Sequence, residues 1–600
     1  MYKAVMRSLT SDTPKPRRKM VHWYDPLLLI RTGVRSLLAT SVGQITDNRE
    51  LHEASKAAAA GIGDYSDEPE LWLDFVADIG DGYESTHAIA ACLASPTLSV
   101  PETTAEPQHE LPRAKVLVCG GDLVYPDPSI ATYLAATFEP YHDACQQVDP
   151  TPGSKADFYA LPGNHDWYDG LQAFEDLICY DDADAPRWPL GHWRKPQTHS
   201  YFSLQLPHRW WLLGIDFQLD GRINPSQRHY FERVISKMSP DDRCIVCVAT
   251  PYWSSAEASN EADSVDWINQ LCAVQGARVA LILTGDLHHY SRYGTEQSRP
   301  ARDSTPALVT AGGGGAFLHP THSLPDTASI ALAKPQQNAA ATLPIARERR
   351  VELANAFPSK SRSRWLLLHN LKFPILNWEI SLLAGFVYTL LAWTLETRFI
   401  TGESTLADRF QFILTSHNTV VSELTRLFAA IPQSPEFALI VILALAALVS
   451  FNGQSSTRQQ WALGITHTLF HLLGLCITYC LAIEITIWFE ENLMDLGFAF
   501  LWLLVTMLVL GGGVGGVVFG VFLIVSSLLF NANVTNAFSS IRLASYKNFV
   551  RLHFMRNGSL ELYAMGLRNP AMGPAGVHLI EKVVLHPPAQ ASNRGKDALE

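Results

Sequence analysis

No secretory leader is expected from the opening residues of the sequence. Its first twenty residues carry KPRRK and no apolar segment, so the amino-terminal half is expected to stay in the cytosol. It has no cysteine framework either. Nine cysteines lie without paired spacing, which excludes a disulfide-stapled scaffold and points to a reducing compartment. The closest approach to a motif, Cys244-x-x-Cys247, sits in RCIVCVAT. Positions three apart on a strand face opposite ways, so both cysteines read as core. Positive charge is in short supply. With 46 Lys and Arg against 58 Asp and Glu, the net charge is −12. That excludes a general basic face, and no nucleic-acid partner is expected. A phosphate-bearing substrate stays open, because bound cations would supply the local positive charge.

Charge of either sign thins out between residues 375 and 531, where apolar runs take over. Four stand out: 375–396, 436–451, 461–488 and 497–531, the last with GGGVGG at its centre. A bilayer asks for ~20 such residues per helix. The last run is expected to count once, as a long tilted helix, although a tight pair also fits its length. Arg362, Arg364 and Lys372 precede the first run, and Arg458 falls between the second and third. The acidic EENLMD follows the third; Arg542, Lys547, Arg551 and Arg556 follow the last. The positive-inside rule then predicts an integral membrane protein of about four spans, with residues 71–330 and both termini in the cytosol.

A chain of 600 residues is too long for one core. Its composition predicts an N-terminal helical appendage (1–70), an α/β domain (71–330), a linker (331–374), a transmembrane helical domain (375–531) and a C-terminal β-hairpin tail (532–600). The tail should turn at Asn557-Gly558, a pair that tolerates positive φ, and return to the α/β domain.

Within 71–330, LWLDFVADIGD, AKVLVCGGD, DFYALPGNHD, WWLLGIDFQ, CIVCVATP, VALILTGD and ALVTAGGGG each read as a buried strand. Four of them end in polar clusters: Asp78-Ile79-Gly80-Asp81, Gly121-Asp122-Leu123-Val124-Tyr125, Gly163-Asn164-His165-Asp166 and Gly285-Asp286-Leu287-His288-His289. Strand carboxyl ends are where α/β sheets hold their ligands. Glycine lets the backbone approach closely. Carboxylate, amide and imidazole groups suit divalent or trivalent transition metals. An Asp between two ions bridges them, and two ions about 3.5–4 Å apart clamp a phosphoryl group and activate a water for in-line attack.

These motifs, in this order, resemble the calcineurin-like metallophosphoesterase superfamily over about residues 71–330. The resemblance implies an α/β fold: a two-sheet metallophosphoesterase sandwich flanked by helices, here joined to the α-helical transmembrane domain. It also implies roles. Asp78 and His288 would bind a first metal, Asp122 would bridge, and Asn164 would bind a second metal and the substrate. Asp286 stands where the family has a His and would serve as a ligand. His165 would protonate the leaving group or steady the transition state, with Asp166 orienting it. Tyr125 completes a GDxxY similar to the purple acid phosphatase branch, where that Tyr binds iron. Gly80 stands where many members have a His ligand. Two divalent or trivalent ions (manganese, iron or zinc) are the implied cofactors.

The fourth family motif usually offers a His before a Pro; here VCVATPYW puts Ala249 and Thr250 in those places. That thins the second metal site, and His289, His319 and His322 are the further ligand candidates. The resemblance implies hydrolysis of a phosphomonoester or phosphodiester. Lipid-linked esters are among the partners expected, beside the bilayer itself; the oligomeric state stays open. The alternative is a non-catalytic membrane sensor or scaffold with a degenerate site.

Overall fold

The structure is a computed structural model. It describes residues 17–29, 31, 61–101, 109–149, 155–179, 190–217, 219–254, 258–294, 305–333, 346–396, 425, 428–453, 455–493 and 499–587. Most of the N-terminal appendage expected over 1–70 lies outside them. The chain forms two compact units. One comprises 1–21, 31–360 and 542–600, the other 22–30 and 361–541.

The first unit is built on strands β1 (Gly63–Asp64), β2 (Leu71–Val76), β3 (Thr97–Val100), β4 (His109–Pro112), β5 (Val116–Cys119), β6 (Ala156–Ala160), β7 (Trp193–Arg194), β8 (Phe202–Leu206) and β9 (Trp210–Ile215). It continues through β10 (Arg243–Val248), β11 (Arg278–Thr284), β12 (Tyr290–Gly294), β13 (Ala307–Ala311), β14 (Thr327–Leu332), β15 (Arg347–Phe357), β16 (Lys547–Phe554), β17 (Leu560–Leu567) and β18 (Val577–Leu585). The seven apolar runs become β2, β5, β6, β9, β10, β11 and β13. They assemble two large sheets, ordered β1-β8-β9-β10-β11-β13-β12-β15-β14 and β18-β17-β16-β2-β5-β6-β7. Side chains of both, including Phe75, Val118, Leu212, Cys247 and Leu283, fill one core between the sheets. A second core lies under helix Tyr83–Ala94, and a third under helices Pro225–Ile235 and Ser259–Val274. Cys244 and Cys247 go to different cores, as alternation requires.

Three domain limits differ from the sequence expectation. The stretch 331–374 is not a plain linker, because β15 pairs with β12 and β14. Its composition hides this: exposed Arg and Glu side chains alternate with half-buried positions along a strand one place in from the edge of the sheet. The tail forms the expected hairpin, β16–β17 with Gly558 at φ 80°, but adds a third strand, β18, and β16 pairs with β2, placing the tail inside that sheet. Residues 532–541 belong with the helical unit. Arg551 stands opposite Asp74 and clamps it with two bonds of 2.7 and 2.8 Å, both side chains buried. Lys547 is buried as well. Two of the four cations counted after the last apolar run are therefore interior groups, not loop charges.

Among the described residues the helical unit holds three helices long and apolar enough to cross a membrane: Trp378–Glu396, Thr457–Thr486 within Thr457–Leu493, and Leu501–Phe530 within Ala499–Phe530. A fourth apolar helix, Pro435–Phe451, covers the expected second run with 17 residues, at the lower end of what a span requires. The glycine-rich run is one helix. Glycines on both helices let the Trp378 helix approach: a Cβ on its Gly385 would stand 2.1 Å from the Leu508 carbonyl oxygen, and one on Gly516 would stand 2.6 Å from Ser381 Oγ. His467 and His471, four apart, form a hydrogen-bonded pair (3.2 Å) that Tyr388 extends across helices at 2.8 Å.

Candidate active site

The four polar clusters converge at the carboxyl ends of β2, β5, β6 and β11. Asp78, Asp122 and Asp286 each adopt positive φ (60°, 48° and 63°). Non-glycine residues pay for that conformation, Asp less than most, and such strain gathers at functional sites. The reason Gly80 cannot be the family's His is steric: a Cβ there would lie 1.8 Å from the Leu123 carbonyl oxygen. Gly312, after β13, clears space for Asp78, since its Cβ would meet Asp78 Oδ2 at 2.4 Å.

At the centre is the Tyr125 hydroxyl. Asp78 Oδ1, Asp122 Oδ2 and His288 Nε2 all lie 3.0 Å from it. His288 Nδ1 is 2.8 Å from the Phe317 carbonyl, so Nδ1 carries the hydrogen and Nε2 is a bare acceptor in the neutral ring. Three acceptors thus face one hydroxyl that has a single hydrogen to give. Asp78 Oδ2 is buried with no hydrogen-bond partner. The Asp286 backbone N–H donates to Asp78 Oδ1 (3.2 Å), and the His165 N–H to Asp122 Oδ1 (2.9 Å). Burial, then mutual repulsion with Asp122 and Asp286, holds the Asp78 carboxyl well above its usual range. Burial, then the Asp286 charge, raises Asp122 to about 7; burial raises Asp286 to about 6. Burial lowers His288.

The other expected residues fall as follows. Asn164 is exposed, its amide 3.3 Å from the Tyr168 hydroxyl. His165 Nδ1 pairs with the Pro126 carbonyl (2.8 Å), and burial lowers its pKa. Asp166 does not orient His165. Its carboxylate accepts from Gly163 N (2.8 Å), Leu123 N (3.2 Å) and the Tyr133 hydroxyl. It is a brace for the loops carrying Asp122 and Asn164, a role that needs the Leu123 and Tyr133 contacts to be seen. His319 stacks on His288 with ring centroids 3.8 Å apart. That puts it beside the Asp78–His288 pair, not in the place vacated at Ala249. His289 is buried with neither ring nitrogen hydrogen-bonded, and burial lowers it to about 3. His322 is half-buried.

Sequence reasoning passed over Lys547 and Asp81. Lys547 Nζ donates to the Ala316 carbonyl, and burial pushes the amine down to about 7 against the charges of Asp81 and Asp78. Asp81 accepts from Val21 N at 2.7 Å. Only the pairing of β16 with β2 brings Lys547 here, and no local motif announces it.

Residues 71–290 match the family model described as calcineurin-like phosphoesterase. This segment is a calcineurin-like phosphoesterase domain. β13 to β18 lie outside the match, although Gly312 and Lys547 reach the site from there. Among solved structures the chain is similar to GAP50, the anchor in the inner membrane complex of Plasmodium, at 10% identity and TM-score 0.29, covering 49% of this chain and 92% of that one. It is similar to the purple acid phosphatase PPD1 of yellow lupin seeds at 13% identity and TM-score 0.26, covering 43% and 46%. A third is PhoD, at 9% identity and TM-score 0.27, covering 50% and 73%. No curated protein matches the chain.

The phosphoesterase domain's donor set fits cations. Asp78 and Asp122 are buried against one hydroxyl, Asp78 Oδ2 has no hydrogen-bond partner, and His288 presents a bare Nε2 with a carbonyl behind its Nδ1, the usual support of a metal-bound imidazole. Among the described residues, no group of three or more His, Cys, Asp and Glu side chains is gathered tightly enough to hold an ion as it stands. The Tyr125 hydroxyl occupies the middle.

Proposed function

We propose that the chain hydrolyses a phosphomonoester or phosphodiester at this centre, on the cytosolic side of a membrane anchor. The convergence of Asp78, Asp122 and His288 on the Tyr125 hydroxyl, within a calcineurin-like phosphoesterase domain, is the observation that carries the proposal. Asp78, Asp122, Tyr125, Asn164, Asp286 and His288 would hold two ions of manganese, iron or zinc, with His289 and His319 in reserve. Bound there, such ions supply Lewis acidity and a water acidic enough to attack phosphorus near neutral pH.

The chain's own residues do the rest. Tyr125, with one hydrogen, keeps two carboxylates and His288 at equal distance from one point. Asp166 fixes the Gly163 and Leu123 amides, and with them the loops that present Asn164 and Asp122. Because the Pro126 carbonyl only accepts, His165 Nδ1 keeps its hydrogen, and Nε2 takes a second proton when a phosphoryl group offsets the burial. That imidazolium can then protonate a leaving oxygen. The cytosolic side is supported by the exposed Arg362, Arg364 and Lys372 before the first long helix and, with Pro435–Phe451 crossing as well, by Arg458 in the first turn of the second.

The test is turnover of p-nitrophenyl phosphate and its bis ester by the purified full chain with manganese, iron or zinc. Folded protein that turns over neither substrate with any of them overturns the proposal. One observation favours a second reading, a sensor without turnover: Ala249 leaves the second metal side without its strand-end ligand. Metal content separates the two, with two ions per chain for the enzyme and one or none for the sensor.

A further inference from the structure

Residues 361–378 (SRSRWLLLHNLKFPILNW) run up to the first long helix and contain no Asp or Glu. They are folded and held. Helical turns cover Lys360–Leu366, Leu367–Lys372 and Phe373–Leu376. Asn370 donates to the Ala537 carbonyl (3.0 Å) and Asn377 to the Ser540 carbonyl (3.1 Å), both in helix Val534–Ile541. Ser363, Leu366, Leu367, Asn370, Phe373 and Asn377 are buried at helical spacing. The opposite side should be polar on a water-facing segment. Instead Trp365 (68% exposed), Leu371 (56%), Ile375 (78%) and Trp378 (56%) stand out, interleaved with exposed Arg362, Arg364 and Lys372.

A second piece joins this layer. Residues 22–30 belong to the same unit. His22 Nε2 is 3.0 Å from the Leu376 carbonyl, the Tyr24 hydroxyl donates to the Asn536 carbonyl (3.0 Å), and the Tyr24 and Phe373 rings meet edge-on at 5.2 Å. From this base Leu27 projects with 79% of its surface exposed.

We infer that 22–29 and 361–378 form an interfacial collar that lies in the headgroup layer and binds anionic phospholipid. Apolar side chains with tryptophan at both ends suit the acyl boundary, and the cations of 361–378, a stretch without Asp or Glu, suit anionic headgroups; the one acid of the first piece, Asp25, accepts from the Leu27 backbone N–H at 2.9 Å. The collar is continuous with helix Trp378–Glu396. A partner protein would have to cover the same residues in competition with the bilayer that the helix enters. The inference rests on the membrane reading of the helical unit.

The experiment uses the full chain reconstituted into vesicles of phosphatidylcholine mixed with phosphatidylglycerol. Spin-labelled lipids of each class report their relative association with the protein. Phosphatidylglycerol should be preferred, and the preference should shrink at high salt. It should collapse toward one in R362Q/R364Q/K372Q, since a cation near an anionic surface is worth roughly fivefold in association. These exposed substitutions leave the packed side intact. Protein that enters the vesicles but shows no preference, or one that the triple variant keeps, overturns the collar alone. Protein that stays in solution without detergent overturns the membrane reading beneath it.

Discussion

Removing Arg551 should unhinge the phosphoesterase domain from within. Its guanidinium grips Asp74 with two bonds of 2.7 and 2.8 Å and donates to the Leu111 and Pro112 carbonyls at 3.2 and 2.9 Å. Asp74 is 1% exposed, and burial already raises its pKa against the pull of Arg551. In Arg551→Leu the carboxylate loses its only cation, and water does not replace it. Breaking a buried pair in this way costs about 3–5 kcal/mol. That is a large share of the roughly 5–15 kcal/mol that holds a domain together, and should lower the melting temperature by about 5–10 °C or more. The assay is thermal unfolding of the detergent-solubilised full chain, with proteolysis of β16–β18 as a second readout. Asp74→Asn/Arg551→Leu should regain much of the loss, because no charge is then stranded. A single variant that melts like the parent, or a double variant no better than the single, would refute the assignment of β16 as a central strand of the sheet.

Three further outcomes follow from the site. Manganese affinity should weaken as pH falls from about 8 to about 5.5. Protons compete for Asp122 and Asp286, whose carboxyls titrate near 7 and 6, each costing up to tenfold per pH unit below its pKa; titration calorimetry showing flat or stronger binding at low pH would contradict this. His165→Asn should keep its metal content yet lose about 10²–10⁴-fold in turnover of esters with poor leaving groups, and less with p-nitrophenyl esters, since His165 acts on the departing oxygen; equal loss on both would remove that role. Gly80→His should not restore a family ligand but destabilise the domain, because its Cβ would sit 1.8 Å from the Leu123 oxygen; thermal unfolding at the parent's temperature would show that the loop yields.

Much of the site is legible in the chain because it is made at strand ends. Seven continuous apolar runs announce β2, β5, β6, β9, β10, β11 and β13, and four of them, β2, β5, β6 and β11, stop at the clusters placed at the site. What could not be read depends on distant pairing. Lys547 and Arg551 look like loop cations beside an apolar helix, and only opposite β2 do they become buried partners of the site and of Asp74. β15 hides in an Arg- and Glu-rich stretch because one face of the strand is exposed, although β12 and β14 pair with it on both sides. The role of Asp166 was misassigned for a similar reason: its partners Leu123 and Tyr133 belong to other segments, so adjacency to His165 in sequence suggested a contact that the fold does not make. The helix Pro435–Phe451 shows the limit of composition, since its 17 residues lie at the lower end of a span.

The central claim is that Asp78, Asp122 and His288 gather around Tyr125 to hold catalytic ions. Metal content and bis-p-nitrophenyl phosphate turnover, measured on the same preparations of the parent and Asp122→Asn, test it most directly. The parent should carry two ions per chain and turn over; Asp122→Asn should lose ions and turnover together while keeping its fold. Asp122→Asn with full metal content and undiminished turnover would contradict the account.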